Sequence, residues 1–272
     1  MATATDAGRR ARDHGTVKVL GRVGMGCFGA VYVIVAYLAV QVAVGGGGQE
    51  ADQTGALQEI AGTSFGAVVL WVLAVGLLAF GVWQLLMAGF SFQWVDKQHK
   101  RIFKKIGAGV RGVVGISLAI AAIRIATGSG SQSGDQKQKE MTGQLMELPA
   151  GRLLVGFGAL VVIGAGVASI VSGVRKSFMH DLDPSELPNG SRRWVERLGM
   201  VGYAAKGVGI GIIGVLLGAA AIDSDAGEAG GLDSALRTLA EQPFGTALLI
   251  AVALGFAAFG IYCFAAARAH RT

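Results

Sequence analysis

Two residues in this chain carry charge where charge is expensive. Arg111 and Lys206 each fall inside a long apolar run, and each directly precedes a glycine, Gly112 or Gly207. A cation at the centre of a bilayer costs about 2.5–3.5 kcal/mol on insertion scales, so an intramembrane charge calls for a partner or a purpose. Brought together, the two would make a basic site for an anion or an anionic lipid head group. The plainer alternative is snorkelling. Each cation sits ~10 Å by helix rise from the nearer end of its run, and that depth favours the plainer reading. Arg124, near the opposite end of its run, reads as an interfacial anchor.

Other chemistry is missing from the pattern. His14, His99, His180 and His270 all lie in polar segments, no two of them spaced as metal ligands on one helix turn, and there is no HExxH motif. The two cysteines, Cys27 and Cys263, stand alone in apolar runs and are expected to be buried free thiols. Ser and Thr within the runs have no His or Asp at their depth to act as a base. The acidic stretch 180–187 reads as a solvated loop. The G-x-G patterns open no strand-to-helix phosphate turn. No catalytic residue, metal or cofactor is therefore assigned, and an enzyme is not expected.

The elements that must position Arg111 and Lys206 are membrane helices. Of 272 residues, 52% are apolar and only 15% charged, against roughly 25% in soluble domains. A bilayer core of about 30 Å needs about 20 apolar residues in a helix. Six stretches qualify: 23–44, 65–87, 106–126, 153–174, 201–222 and 244–267. None contains Pro, Asp or Glu. The first is too long for a cleaved signal and reads as a retained anchor. Trp71 and Trp83 fall inside a span as lipid-facing or packing residues, and Trp94 and Trp194 as interfacial anchors.

The positive charges give a direction. Arg9, Arg10, Arg12, Lys18 and Arg22 precede the first span. Lys97, Lys100, Arg101, Lys104 and Lys105 lie between the second and third spans, and Arg175, Lys176, Arg192, Arg193 and Arg197 between the fourth and fifth. The alternate loops carry far fewer, and Arg268 and Arg271 follow the last span. Cationic loops stay in the cytoplasm, so both termini are expected there. The formal net charge of +6 then serves lipid head groups and not nucleic acid.

The six spans repeat in pairs. The first helix of each pair opens with two glycines five residues apart: Gly24 and Gly29, Gly107 and Gly112, Gly202 and Gly207. Phe28, Arg111 and Lys206 stand just before the second glycine. GALQEIAGTSFG, ending at Gly66, aligns without gaps to SALRTLAEQPFG, ending at Gly245, and TGQLMELPAG, ending at Gly151, is the middle copy. Fifteen residues beyond each closing glycine comes another: Gly81, Gly166 and Gly260. The pairs Leu57/Ile60, Leu145/Leu148 and Leu236/Leu239 suggest a short amphipathic helix on the outer face of each copy. The organisation is a polar cytoplasmic segment 1–16 and repeats 17–91, 100–178 and 193–268. Copies with an even number of spans enter the membrane in the same sense. The expected fold is an all-α integral membrane protein of six transmembrane helices, three tandem hairpins about a pseudo-threefold axis. The glycines at the landmark positions are expected at helix packing contacts.

The frame G-x-x-x-[RK]-G opening one helix, followed by A-L-x-x-L-x-x-x-P-F-G before the next, resembles the bacterial domain-of-unknown-function family 1206. The third copy carries it most fully, through Gly202, Tyr203, Lys206, Gly207, Ala235, Leu236, Leu239, Pro243 and Gly245. The first has Phe28 in place of the basic residue, and the second lacks the Phe before Gly151. The resemblance implies a bacterial plasma-membrane protein and brings no activity with it. Two readings remain from the residues. One is a structural or accessory membrane component whose partners are the bilayer, anionic lipid or another membrane protein. The other is a small channel or facilitator for an anion or small solute along the axis.

Overall fold

Inside a bilayer every backbone N–H and C=O must find a partner within the protein, so long apolar runs fold as helices. The computed structural model describes residues 15–46, 48–90, 98–182 and 190–269, all-helical among them. Six long helices are α1 (Gly15–Ala43), α3 (Gly66–Phe90), α4 (Gln98–Ala126), α6 (Gly151–Val174), α7 (Arg192–Asp223) and α9 (Gly245–Ala269). All six are long and apolar enough to cross a membrane. Three short helices, α2 (Gln53–Ala61), α5 (Gly134–Met146) and α8 (Leu232–Ala240), follow α1, α4 and α7 and gather on one face. Two single 3₁₀ turns, Ser177–Asp181 and Ala226–Glu228, complete the described chain.

Each short helix is joined to the next long one by a tight reversal, and this explains the closing glycine of each copy. The N–H groups of Gly66, Gly151 and Gly245 donate to the carbonyls of Thr63, Leu148 and Gln242 at 2.9, 2.8 and 2.7 Å. A Cβ on these glycines would overlap the carbonyl oxygens of Ile60, Leu145 and Ala240, the last turns of α2, α5 and α8. Ala150 and Phe244, just before two of them, take positive φ values of 64° and 63° to complete the turn.

The long helices form a ring in the order α4, α3, α1, α9, α7, α6. It is held where one copy meets another. A Cβ on Gly81 of α3 would come 2.9 Å from the Gly112 carbonyl of α4. One on Gly166 of α6 would come 2.8 Å from the Gly207 carbonyl of α7, and one on Gly260 of α9 would come 2.7 Å from that of Gly29 on α1. Backbone here lies on backbone, the approach that small residues permit between membrane helices.

Contacts within a hairpin differ among the copies. Gly24 receives Phe80, and Gly202 receives Phe259, each at 2.6 Å from an ideal Cβ. Gly107 breaks the pattern, because a Cβ there would meet nothing within 4 Å. It is not a packing glycine, since its partner helix is absent from that side: α4 and α6 do not pack against each other. The ring is open on that flank. Only 17% of the α6 span is buried, against 56% for α1. The Leu pairs of the short helices divide in the same way. Leu57, Ile60 and Leu236 are buried and Leu239 packs against the core, whereas Leu145 and Leu148 are exposed.

The glycine contacts make a graded prediction. Gly207→Ala presses a methyl group onto the Gly166 carbonyl and should destabilise by ~1–3 kcal/mol, lowering the thermal midpoint in mild detergent. Gly107→Ala meets open space and removes a helix-weakening glycine, so its midpoint should stay level or rise.

Candidate functional site

The centre of the ring is aromatic and basic. Phe28 stacks on Phe80 with ring centroids 4.7 Å apart, and Tyr32 meets Phe259 edge-on at 4.8 Å. Lys206 is one residue from the α6–α7 glycine contact, which fixes its side of α7. Its Nζ lies 4.8 Å from the Phe259 ring, 5.5 Å from Tyr32 and 5.7 Å from Phe28. All three are within cation–π range. The ammonium therefore points into the bundle and does not snorkel, contrary to what its depth suggested. Aromatic faces compensate a desolvated cation in part, and among the described residues no carboxylate pairs with it.

Arg111 holds the equivalent position on α4. Its Nε is buried and without a hydrogen-bond partner. Arg111 and Lys206 lie within electrostatic reach of each other and of the buried Cys263 thiol. Two like charges are thus gathered in a low-dielectric interior, where their repulsion is screened far less than in water. Cys263 is buried as expected, but Cys27 is only half-buried, against Gly76. Arg124 and Trp71 are exposed and Trp83 is buried, while Trp194 is exposed with Arg197 6.0 Å over its ring. His180 is exposed. His14, His99, His270, Trp94 and most of the acidic stretch 180–187 lie outside the described residues or side chains.

From Lys206 a cavity of about 180 Å³ runs toward the short helices. Tyr32, Ile210, Ile213, Leu232 and Phe256 form its apolar walls. Asp52, Gln53 and Gln138 line its far end, together with Gly134 and Gly231. It is cationic at one pole and acidic at the other.

The far end is closed by a set of carboxylates that sequence reading missed. Asp52 caps its own helix by accepting from the Gly55 N–H at 2.6 Å, and also accepts from the Gly134 N–H at the start of α5, at 3.1 Å. Asp135 accepts from the Ser234 N–H in the first turn of α8 at 3.0 Å, and from the Ser234 hydroxyl. Asp233 accepts from the Ala51 N–H just before α2 at 2.8 Å, and its other oxygen pairs with Arg237 at 2.6 Å. Each copy thus supplies a carboxylate to the start of the next copy's short helix, and the third returns to the first. The first N–H groups of a helix have no partner inside it, which is why an acid is useful there. A signal existed in the sequence, since each short helix has an Asp at or just inside its start. Spacing could not reveal that each Asp serves a different helix.

Burial raises the proton affinity of two acids in this cap, Asp52 and Glu50. Burial pushes the Asp52 carboxyl up to about 6. Glu50 and Asp135 nearby add to that, while the Gly55 and Gly134 N–H groups oppose it. Burial likewise raises Glu50, with Asp135 and Asp233 adding and Arg237 opposing.

Helices that span a membrane around a basic interior define a multi-pass membrane protein. The sequence model described as Domain of Unknown Function (DUF1206) matches three times, over residues 23–91, 106–176 and 201–270. This chain belongs to that family. It is 28% identical over 246 residues to the uncharacterized protein YxxB of Bacillus subtilis (strain 168), covering 90% of this chain and 88% of the relative. No solved structure matches it.

A pH dependence follows from Asp52. Its folded form holds a proton more tightly than the unfolded chain, so its contribution is most favourable at low pH and is lost as pH rises through about 6. Thermal stability in detergent should fall as pH rises from 5 to about 7, and Asp52→Asn should flatten much of that slope, leaving the part due to Glu50. A slope unchanged in the variant would remove Asp52 as its source.

Proposed function

We propose that this protein is an accessory component of the bacterial plasma membrane that retains an anionic lipid at Arg111 and Lys206. In this reading both termini lie in the cytoplasm and the three copies are related by a pseudo-threefold axis along the membrane normal. The carrying observation is the pair of cations: Lys206 is turned inward over aromatic rings, Arg111 has a buried Nε without a partner, and no described carboxylate pairs with either. A charge left uncompensated inside a protein costs several kcal/mol, and a phosphate-bearing ligand would offset that cost. Arg111 lies six residues into an apolar segment that begins at Lys105, so about 9 Å of helix separates it from the cytoplasmic interface. In this reading the head group is drawn inward to that depth.

The cavity above Lys206 favours a second reading, a facilitator for a small anion. Against it, the Phe28–Phe80 stack and Phe259 crowd the level of Lys206, and the Asp52, Asp135 and Asp233 hydrogen bonds tie the far end together.

Native mass spectrometry of protein released gently from its own membrane separates the two. The accessory reading expects a stoichiometric anionic phospholipid on the wild type that is lost in the Arg111→Ala, Lys206→Ala double variant. A wild type that carries neither lipid nor protein partner would sink it. The facilitator reading expects anion flux in liposomes that drops in the same variant, and flux no greater than in empty liposomes would end that reading.

A further inference from the structure

The open flank of the ring lacks a side chain that the other two hairpins have. Counting from Gly81, Gly166 and Gly260, the preceding position is Phe80 in the first copy, Phe259 in the third and Ala165 in the second. In the first copy Phe80 stacks on Phe28 and covers Gly24. In the third Phe259 lies under Lys206 and covers Gly202. In the second copy the corresponding residues are Arg111 and Gly107. Among the described residues no ring reaches them, and Ala165 is exposed beside Gly164, which has open space around it. What is missing between α4 and α6 is thus an aromatic side chain at the level of the unpartnered arginine.

We propose that the opening between α4 and α6 is the seat of one anionic phospholipid, with its phosphate on Arg111 and an acyl chain lying where the other two copies place a phenylalanine. This rests on the lipid-retention reading above and adds to it the route and the wall of the site. Charge decides the occupant. The walls are apolar, with Val110 and Val114 exposed on α4 beside Arg111 and Val161 exposed on α6 one turn before Ala165, and among the described residues the buried polar atom without a partner on these helices is the Arg111 Nε. A second helix of ordinary apolar sequence would cover the walls and leave the arginine unpaired. A zwitterionic lipid would bring its own counter-charge. An anionic phospholipid covers the walls and pairs the guanidinium, whose planar fork suits two phosphate oxygens. The opening also gives lateral access from the bilayer to a centre that is otherwise ringed by helices.

The test uses the full-length protein in vesicles of phosphatidylglycerol and phosphatidylcholine in equal parts, with bound lipid counted by native mass spectrometry after gentle extraction. Ala165→Phe restores the residue of the other two copies without touching either cation. Gly107→Leu fills the same space from the opposite wall and carries the test if the first variant fails to fold. The expected result is selective retention of phosphatidylglycerol by the wild type and a loss of about tenfold, the ratio for ~1.4 kcal/mol, in either filled variant. Wild-type retention in a folded, filled variant, with loss in the Arg111→Ala, Lys206→Ala protein, would overturn the seat and leave the retention reading standing. Retention that survives removal of both cations would overturn the two together. Equal retention of phosphatidylcholine by the wild type would also overturn the proposal, because charge would then not select the occupant.

Discussion

The structure depends on backbone lying against backbone at three glycine pairs. Gly81 with Gly112, Gly166 with Gly207, and Gly260 with Gly29 allow helices from different copies to approach to within van der Waals contact of main-chain atoms. Apolar side chains gain little by leaving lipid for one another, so close packing and matched polar groups must supply the association. These contacts join the end of one copy to the beginning of another. They also set the rotation of α1, α4 and α7, because the residue before each contacting glycine is thereby fixed relative to the ring. Those residues are Phe28, Arg111 and Lys206.

The interior follows from that placement. One of the three positions is aromatic and two are cationic, so the centre combines ring faces with excess positive charge. Phe80 and Phe259 fill two hairpins, and Ala165 leaves the third open. At the opposite end the short helices present N–H groups that carboxylates of neighbouring copies accept. The glycine contacts near the cations and the carboxylate ties on the short-helix face join the same three copies at two levels, with a polarised cavity between them.

Much of this was legible in the sequence because membrane helices impose simple constraints. Run length gave the six helices, and the glycine landmarks gave the repeat and the close contacts. What the sequence could not give depends on which helix stands beside which. Gly107 holds the same place in its repeat as Gly24 and Gly202, and only the absence of a packed α6 leaves it bare. Ala165 is unremarkable until its place is seen opposite Arg111. The depth of Lys206 suggested snorkelling, but the rings of Phe28, Tyr32 and Phe259 turn it inward. Asp52, Asp135 and Asp233 lie in polar stretches where spacing assigns them no role, and each accepts from a backbone N–H of another copy.

The central claim is that a ring closed by glycine contacts keeps one flank open to the bilayer at the level of an uncompensated arginine. A density map of the protein in nanodiscs formed from its own membrane tests this most directly. The account predicts α4 and α6 apart, with elongated non-protein density between them reaching the Arg111 guanidinium. Helices α4 and α6 packed on each other, with Arg111 turned out to the head groups and no density in the cleft, would contradict it.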